Sequence, residues 1–159
     1  MIPKQVNHFE RDFCLPNKRT YTMQPVKRLF EQEINGGIVI DLFSFPYKTD
    51  ALEYIQTQKS NSADVVTFDP PYSDYELGRH YLNKGISPSN GPYYKKLRNE
   101  CFRVIKPDGK IIVFGWNSVR FPGFKIERIL LLNHGGMHND TIITVQQKIQ
   151  NSLVCECDT

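Results

Sequence analysis

Val65-Val66-Thr67-Phe68 runs straight into Asp69-Pro70-Pro71-Tyr72, and this junction decides the fold. A short run of β-branched and aromatic residues without polar alternation is the pattern of a strand buried on both faces, as in a parallel sheet. Upstream, Ile38-Val39-Ile40-Asp41-Leu42-Phe43 repeats the pattern and carries its own acid; downstream, Lys110-Ile111-Ile112-Val113-Phe114 makes a third such strand. Helical patterns lie between and before them. Val26, Leu29, Phe30 and Ile34 fall on one face of a helix over 24–34, with Pro25 suited to its first turn, Thr22 as its cap and Gly36-Gly37 as its end. Residues 51–58 read as a second helix capped by Thr49 or Asp50, and Tyr94, Leu97, Cys101 and Val104 as the stripe of a third. Residues 124–132 and 141–148 read as two longer strands joined by 133–140. Strands alternating with helices and closing on a hairpin predict an α/β domain, with a mostly parallel sheet and an antiparallel edge.

The 159 residues suit one domain with a single core: 1–150, of which 1–22 form an irregular arm, followed by a flexible tail over 151–159. Hydrophobic residues make up 40% and charged residues 23% of the chain, ordinary for a globular protein. A net charge of +3 and a pI near 8.6 permit nucleic-acid contact without demanding it. No apolar run reaches the length of a membrane span, and Met1-Ile2-Pro3-Lys4 opens no signal-peptide core, so a cytoplasmic location is expected. The four cysteines are too few and scattered for a disulfide framework.

The chemistry resides in Asp69, Pro70, Pro71 and Tyr72. In an open α/β sheet, ligands bind outside the carboxyl ends of the strands, which is where this string falls. The amino group of adenine is a poor nucleophile because its lone pair is delocalised into the ring. Two acceptors aimed at its hydrogens favour the pyramidal, nucleophilic geometry, and the Asp69 carboxylate and Pro70 carbonyl can supply them. Consecutive prolines fix φ and hold that carbonyl in place. Tyr72 offers a flat face for a base flipped out of the duplex. An Asp-Pro turn alone would mean little; the four-residue string after an apolar strand is much more specific.

This string resembles the signature of the amino-group DNA methyltransferases. Val104-Ile105-Lys106-Pro107-Asp108-Gly109-Lys110 and the terminal hairpin are similar to the turn and last strands of that Rossmann-like fold. A subgroup of small adenine-specific enzymes carried by phages and mobile elements resembles the chain further, at Pro16-Asn17-Lys18-Arg19-Thr20, at Phe114-Gly115-Trp116-Asn117-Ser118 and at 134–142. The resemblance implies S-adenosyl-L-methionine as cofactor and DNA as partner, with a homodimer as an option and the host cytoplasm as location if the source is viral. It also implies cofactor contacts from Asp41, Phe43, Asp50, Ala51 and Asp69, and from Thr22 and Pro25 near the first helix. One departure stands out. The family opens its sheet with a strand ending in Asp-Pro-Phe, against the methionine part of the cofactor, and follows it with a second whose acid bonds the ribose. Here one strand occupies that region, and the sheet is shortened at its N-terminal side. The spacing to Asp50 favours the second strand for Asp41, whereas a sheet without gaps favours the first.

Three functional readings remain open: an adenine methyltransferase, the same chemistry on cytosine or RNA, and an inactive methyltransferase-fold protein that binds DNA or a partner chain. His134, His138 and Asp140 lie in a hairpin rather than on a helix, so a loop near cofactor or substrate is expected there rather than a metal site. Trp116 reads as a pocket wall or as core. Lys95, Lys96, Arg98, Arg103 and Lys106 could meet phosphates or simply face solvent.

Overall fold

The computed structural model describes residues 8–16, 20–43, 50–71, 91–136 and 138–149. In chain order these form β1 (His8–Phe13), a 3-10 turn (Thr20–Thr22), α1 (Gln24–Glu33), β2 (Val39–Asp41), α2 (Ala51–Gln56), β3 (Ala63–Phe68), α3 (Gly91–Val104), β4 (Ile105–Gly115), β5 (Phe124–Asn133) and β6 (Thr141–Lys148). One six-stranded sheet has the order β1-β5-β6-β4-β3-β2. The β2–β3, β3–β4 and β1–β5 pairs are parallel, and β6 runs antiparallel to both β4 and β5. The carboxyl ends of β1, β2, β3, β4 and β5 therefore share one edge of the sheet, together with the start of β6.

The core of the domain has two layers, one on each face of the sheet. On one face α1 covers Val65, Ile112, Phe114, Leu130, Leu132, Ile143 and Val145 through Val26 and Leu29. On the other, Ile55 of α2 and Leu97, Cys101 and Val104 of α3 cover Ile40, Val66, Phe68, Ile111 and Val113. Tyr93 rather than Tyr94 completes the buried stripe of α3, and Tyr94 packs edge-on against it, with ring centroids 5.2 Å apart. Asp50 caps α2 by accepting from Leu52 N (2.9 Å) and Glu53 N (3.1 Å). Gly36, at φ +71°, takes the left-handed turn between α1 and β2. No described helix is long and apolar enough to cross a membrane.

Three expectations need correction. The residues expected to form an irregular arm include a strand: β1 pairs with β5 from His8 opposite Arg128 to Phe13 opposite Asn133. Its anchors are distant in sequence, with Glu10 bridging to Arg128 at 2.8 Å and Asp12 pairing with Arg28. Thr22 does not cap α1; Met23 holds the cap position, without a side-chain cap hydrogen bond. β2 is short and lies last in the described sheet, where Ile38 and Val39 are exposed. It nevertheless pairs directly with β3, Asp41 opposite Thr67, so Asp41 belongs to the strand beside that of Asp69.

Candidate active site at the carboxyl edge of the sheet

Asp41 ends β2 and Asp69 follows β3 by one residue. Thr67 and Asp69 alternate onto the same face of β3. Thr67, only 1% exposed, donates its hydroxyl to Asp41 Oδ1 at 2.9 Å. Tyr21, in the 3-10 turn before α1, donates to the same oxygen at 3.1 Å, and the Phe43 amide at 3.2 Å. Three donors thus fix one oxygen of Asp41, while among the described residues none donates to Oδ2. The Tyr21 ring packs on Phe30 (5.1 Å) and Phe114 (5.5 Å), so the aromatic cluster of the α1 face positions the hydroxyl. Burial, then the Asp41 charge, then the Asp69 charge push the Tyr21 phenol far above its ordinary range. Tyr21 remains a neutral donor to Asp41.

The opposite face supplies a second set. Phe43 packs edge-on against Phe68 (5.2 Å), and Phe121 does the same from the β4–β5 connection (5.0 Å). Asp50 Oδ1 caps α2, and its Oδ2 accepts the Tyr93 hydroxyl at 2.8 Å, so both oxygens carry protein hydrogen bonds. Burial and that bond to Asp50 raise the Tyr93 phenol well above its usual value. Ala51 is buried in the core beside it. Pro25 is buried at the start of α1, whereas Thr22 is exposed. Pro71 is buried and Pro70 half-buried; Tyr72 lies outside the described residues.

The edge therefore brings together Asp41, Phe43 and Asp69, with Asp50 and Ala51 at the α2 terminus. Sequence reasoning missed Tyr21 and Thr67, although a hydroxyl interrupting the apolar run of β3 is a visible signal. Among the described residues, the fixed Asp41 carboxylate keeps one oxygen for an incoming cation or hydroxyl. Among the described residues β2 is the last strand on that side of the sheet, so no strand beyond it adds an acid for a ribose. The 133–140 hairpin shares this edge. Its His134 engages both ring nitrogens within the protein, with the Cys14 carbonyl (2.6 Å) and the Thr141 hydroxyl (3.0 Å). Among the described residues, three of the five cations around α3 have partners: Arg103 holds the Ile55 and Gln58 carbonyls, Lys106 pairs with Asp64, and Arg98 lies over Phe121.

No family model matches the chain. In sequence it is 28% identical over 112 residues to the type II methyltransferase M.BamHI of Bacillus amyloliquefaciens, over 65% of this chain and 25% of that one. It is 33% identical over 72 residues to the type II methyltransferase M.HpaI of Haemophilus parainfluenzae, over 42% and 21% respectively. The matched region thus spans a quarter or less of those relatives. Among solved structures, the Escherichia coli protein yhhF, which carries a provisional methyltransferase assignment, superposes with a TM-score of 0.55 over 86% of this chain and 91% of its own, at 11% identity. That likeness is one of fold. The chain thus has a methyltransferase-like fold and is similar in sequence to parts of type II methyltransferases.

Proposed function

We propose that the chain is an S-adenosylmethionine-dependent DNA methyltransferase acting on the exocyclic amino group of a flipped base, adenine in the first instance. The observation that carries this reading is the pairing of β3 with β2, Asp41 opposite Thr67 two residues before Asp69, at the end where open α/β sheets bind ligands. The bound cofactor supplies an activated methyl group. The chain supplies position and charge. Asp41, held by Tyr21, Thr67 and the Phe43 amide, offers its open oxygen to the cofactor. Asp69 and the Pro70 carbonyl accept from the amino group and raise its nucleophilicity as the methyl arrives. Tyr72 is assigned the stacking face for the flipped base. Cytosine presents a similar amino group to the same two acceptors.

A second reading, a methyltransferase-fold protein that binds DNA or a partner chain without cofactor, is favoured by the full engagement of Asp50 and by the final position of β2. Calorimetric titration with S-adenosylmethionine separates the two. Heat of binding with a defined stoichiometry supports the enzyme; a flat trace at millimolar cofactor with folded protein supports the binder. For the enzyme, transfer of a labelled methyl group to adenine-containing duplex should vanish in Asp69→Ala while melting is retained and cofactor binding weakens far less than the rate falls. Unchanged turnover in that variant would assign the polarising role elsewhere.

A further inference from the structure

The far edge of the sheet carries a feature that methyl transfer does not use. Pleat alternation sorts β1 into two faces. Glu10 and Asp12 turn toward α1, where they meet Arg128 and Arg28. Phe9, Arg11 and Phe13 therefore stand on the opposite face, in register with Ile129, Leu131 and Asn133 of β5. The described helices on that face, α2 and α3, cover β2, β3 and β4, and neither core cluster includes Phe9, Phe13, Ile129 or Leu131. Phe9 is 63% and Phe13 61% exposed, in a position where a globular domain ordinarily buries its large apolar side chains. Arg11, exposed, sits between them.

Two aromatic rings flanking a guanidinium on a β-sheet surface form a stacking platform with a phosphate contact. We propose that this face binds unpaired bases of a single-stranded nucleic acid, with Phe9 and Phe13 each stacking a base and Arg11 meeting the backbone between them. Four residues of strand separate the rings by about 13 Å, too far to sandwich one base, so each ring takes its own. Charge favours this occupant over a second copy of the chain. Two β1 edges paired about Arg11 would stack Phe9 on Phe13 but would also set Arg11 against Arg11, like charges directly opposed. Of the charged side chains at 9–13, a polyanion on this face meets Arg11, because both acids of β1 turn the other way. The platform lies three strands from Asp69, with β5, β6 and β4 between, and stands whether or not the edge catalyses methyl transfer.

The test is fluorescence anisotropy of a labelled oligothymidylate of about twelve nucleotides with the full chain. Phe9→Ala and Phe13→Ala should each weaken binding by roughly tenfold and leave the salt slope unchanged, whereas Phe9→Trp retains affinity. Arg11→Ala should reduce the log–log salt slope by about 0.7. Asp69→Ala should bind the oligonucleotide as the wild type does, which keeps failure of this site distinct from failure of the catalytic reading. Wild-type affinity in both phenylalanine variants, with normal melting, would overturn the proposal. So would a wild-type dimer in sedimentation that these variants dissociate without change in oligonucleotide affinity, since the face would then belong to a second copy.

Discussion

Replacing Gln146 by leucine tests how the connection between β4 and β5 is held. Gln146 is fully buried on β6. Its Oε1 accepts the Phe121 amide at 2.8 Å, and its Nε2 donates to the Val119 carbonyl and the Thr144 hydroxyl, each at 2.8 Å. One amide side chain thus pins residues 119–121 to the sheet and seats Phe121, 3% exposed, against Phe68, the residue before Asp69. Leucine keeps the volume and removes all three bonds. Val119 is 48% exposed, so water replaces the bond to its carbonyl at little cost. The Phe121 N–H has no such relief; stranding it costs about 2 kcal/mol, and the weakened Thr144 site adds about 1. The sum, about 3 kcal/mol, corresponds to a melting temperature lower by roughly 9 °C and a urea midpoint lower by about 1.5 M. Urea titration followed by circular dichroism measures the global transition, and Trp116, the sole tryptophan, reports on the connection itself. Gln147→Leu on the other face of β6 is the control, expected within about 0.5 kcal/mol of wild type. A loss below about 1 kcal/mol for Gln146→Leu, at unchanged m-value, would refute the reasoning and leave Phe121 packing as the anchor.

The Arg128 guanidinium, which bonds it, and the neighbouring His8 hold the Glu10 carboxyl below its ordinary value of 4.5 against the opposing effect of burial. A folded-state value below the unfolded one stabilises the protein above about pH 4.5 and is lost as pH falls through the folded value. Glu10→Gln should therefore flatten the acid limb of a melting-temperature profile; an unchanged limb would show that the pair contributes nothing there. Tyr21→Phe removes one of the three donors to Asp41 and should cost about 1 kcal/mol in stability, while weakening S-adenosylmethionine binding several-fold in calorimetry. Equal cofactor affinity in that variant would show that Thr67 and the Phe43 amide hold Asp41 without it.

What could be read from the sequence was what local pattern encodes. The unalternated run before Asp69 predicts a buried strand and its ligand edge, and residues 141–148 form the expected strand to the residue, because burial on both faces leaves an unbroken apolar signature. Asp50 caps α2 as its position implies. β1 escaped because His8-Phe9-Glu10-Arg11-Asp12-Phe13 has two apolar residues, both on the exposed face, and its strand character comes from β5. Tyr21 and Thr67 escaped for a related reason: each is ordinary in its own segment and meets Asp41 only through pairing of strands and packing of α1. The position of Asp41 beside β3 is likewise a property of the sheet order and not of its spacing to Asp50.

The pairing of β1 with β5 also shapes how the molecule assembles. Cys14, just past β1, meets His134 across 120 residues of chain, so a long stretch of chain must be made after β1 before that strand has a partner. Closing so long a loop is entropically costly and gains nothing until β5 is in place. The nucleus must then come from β3, β4 and the β5–β6 hairpin, with the leading strand docking late. Alanine at Glu10, which holds β1 to Arg128 of β5, should consequently accelerate unfolding and leave the refolding rate nearly untouched.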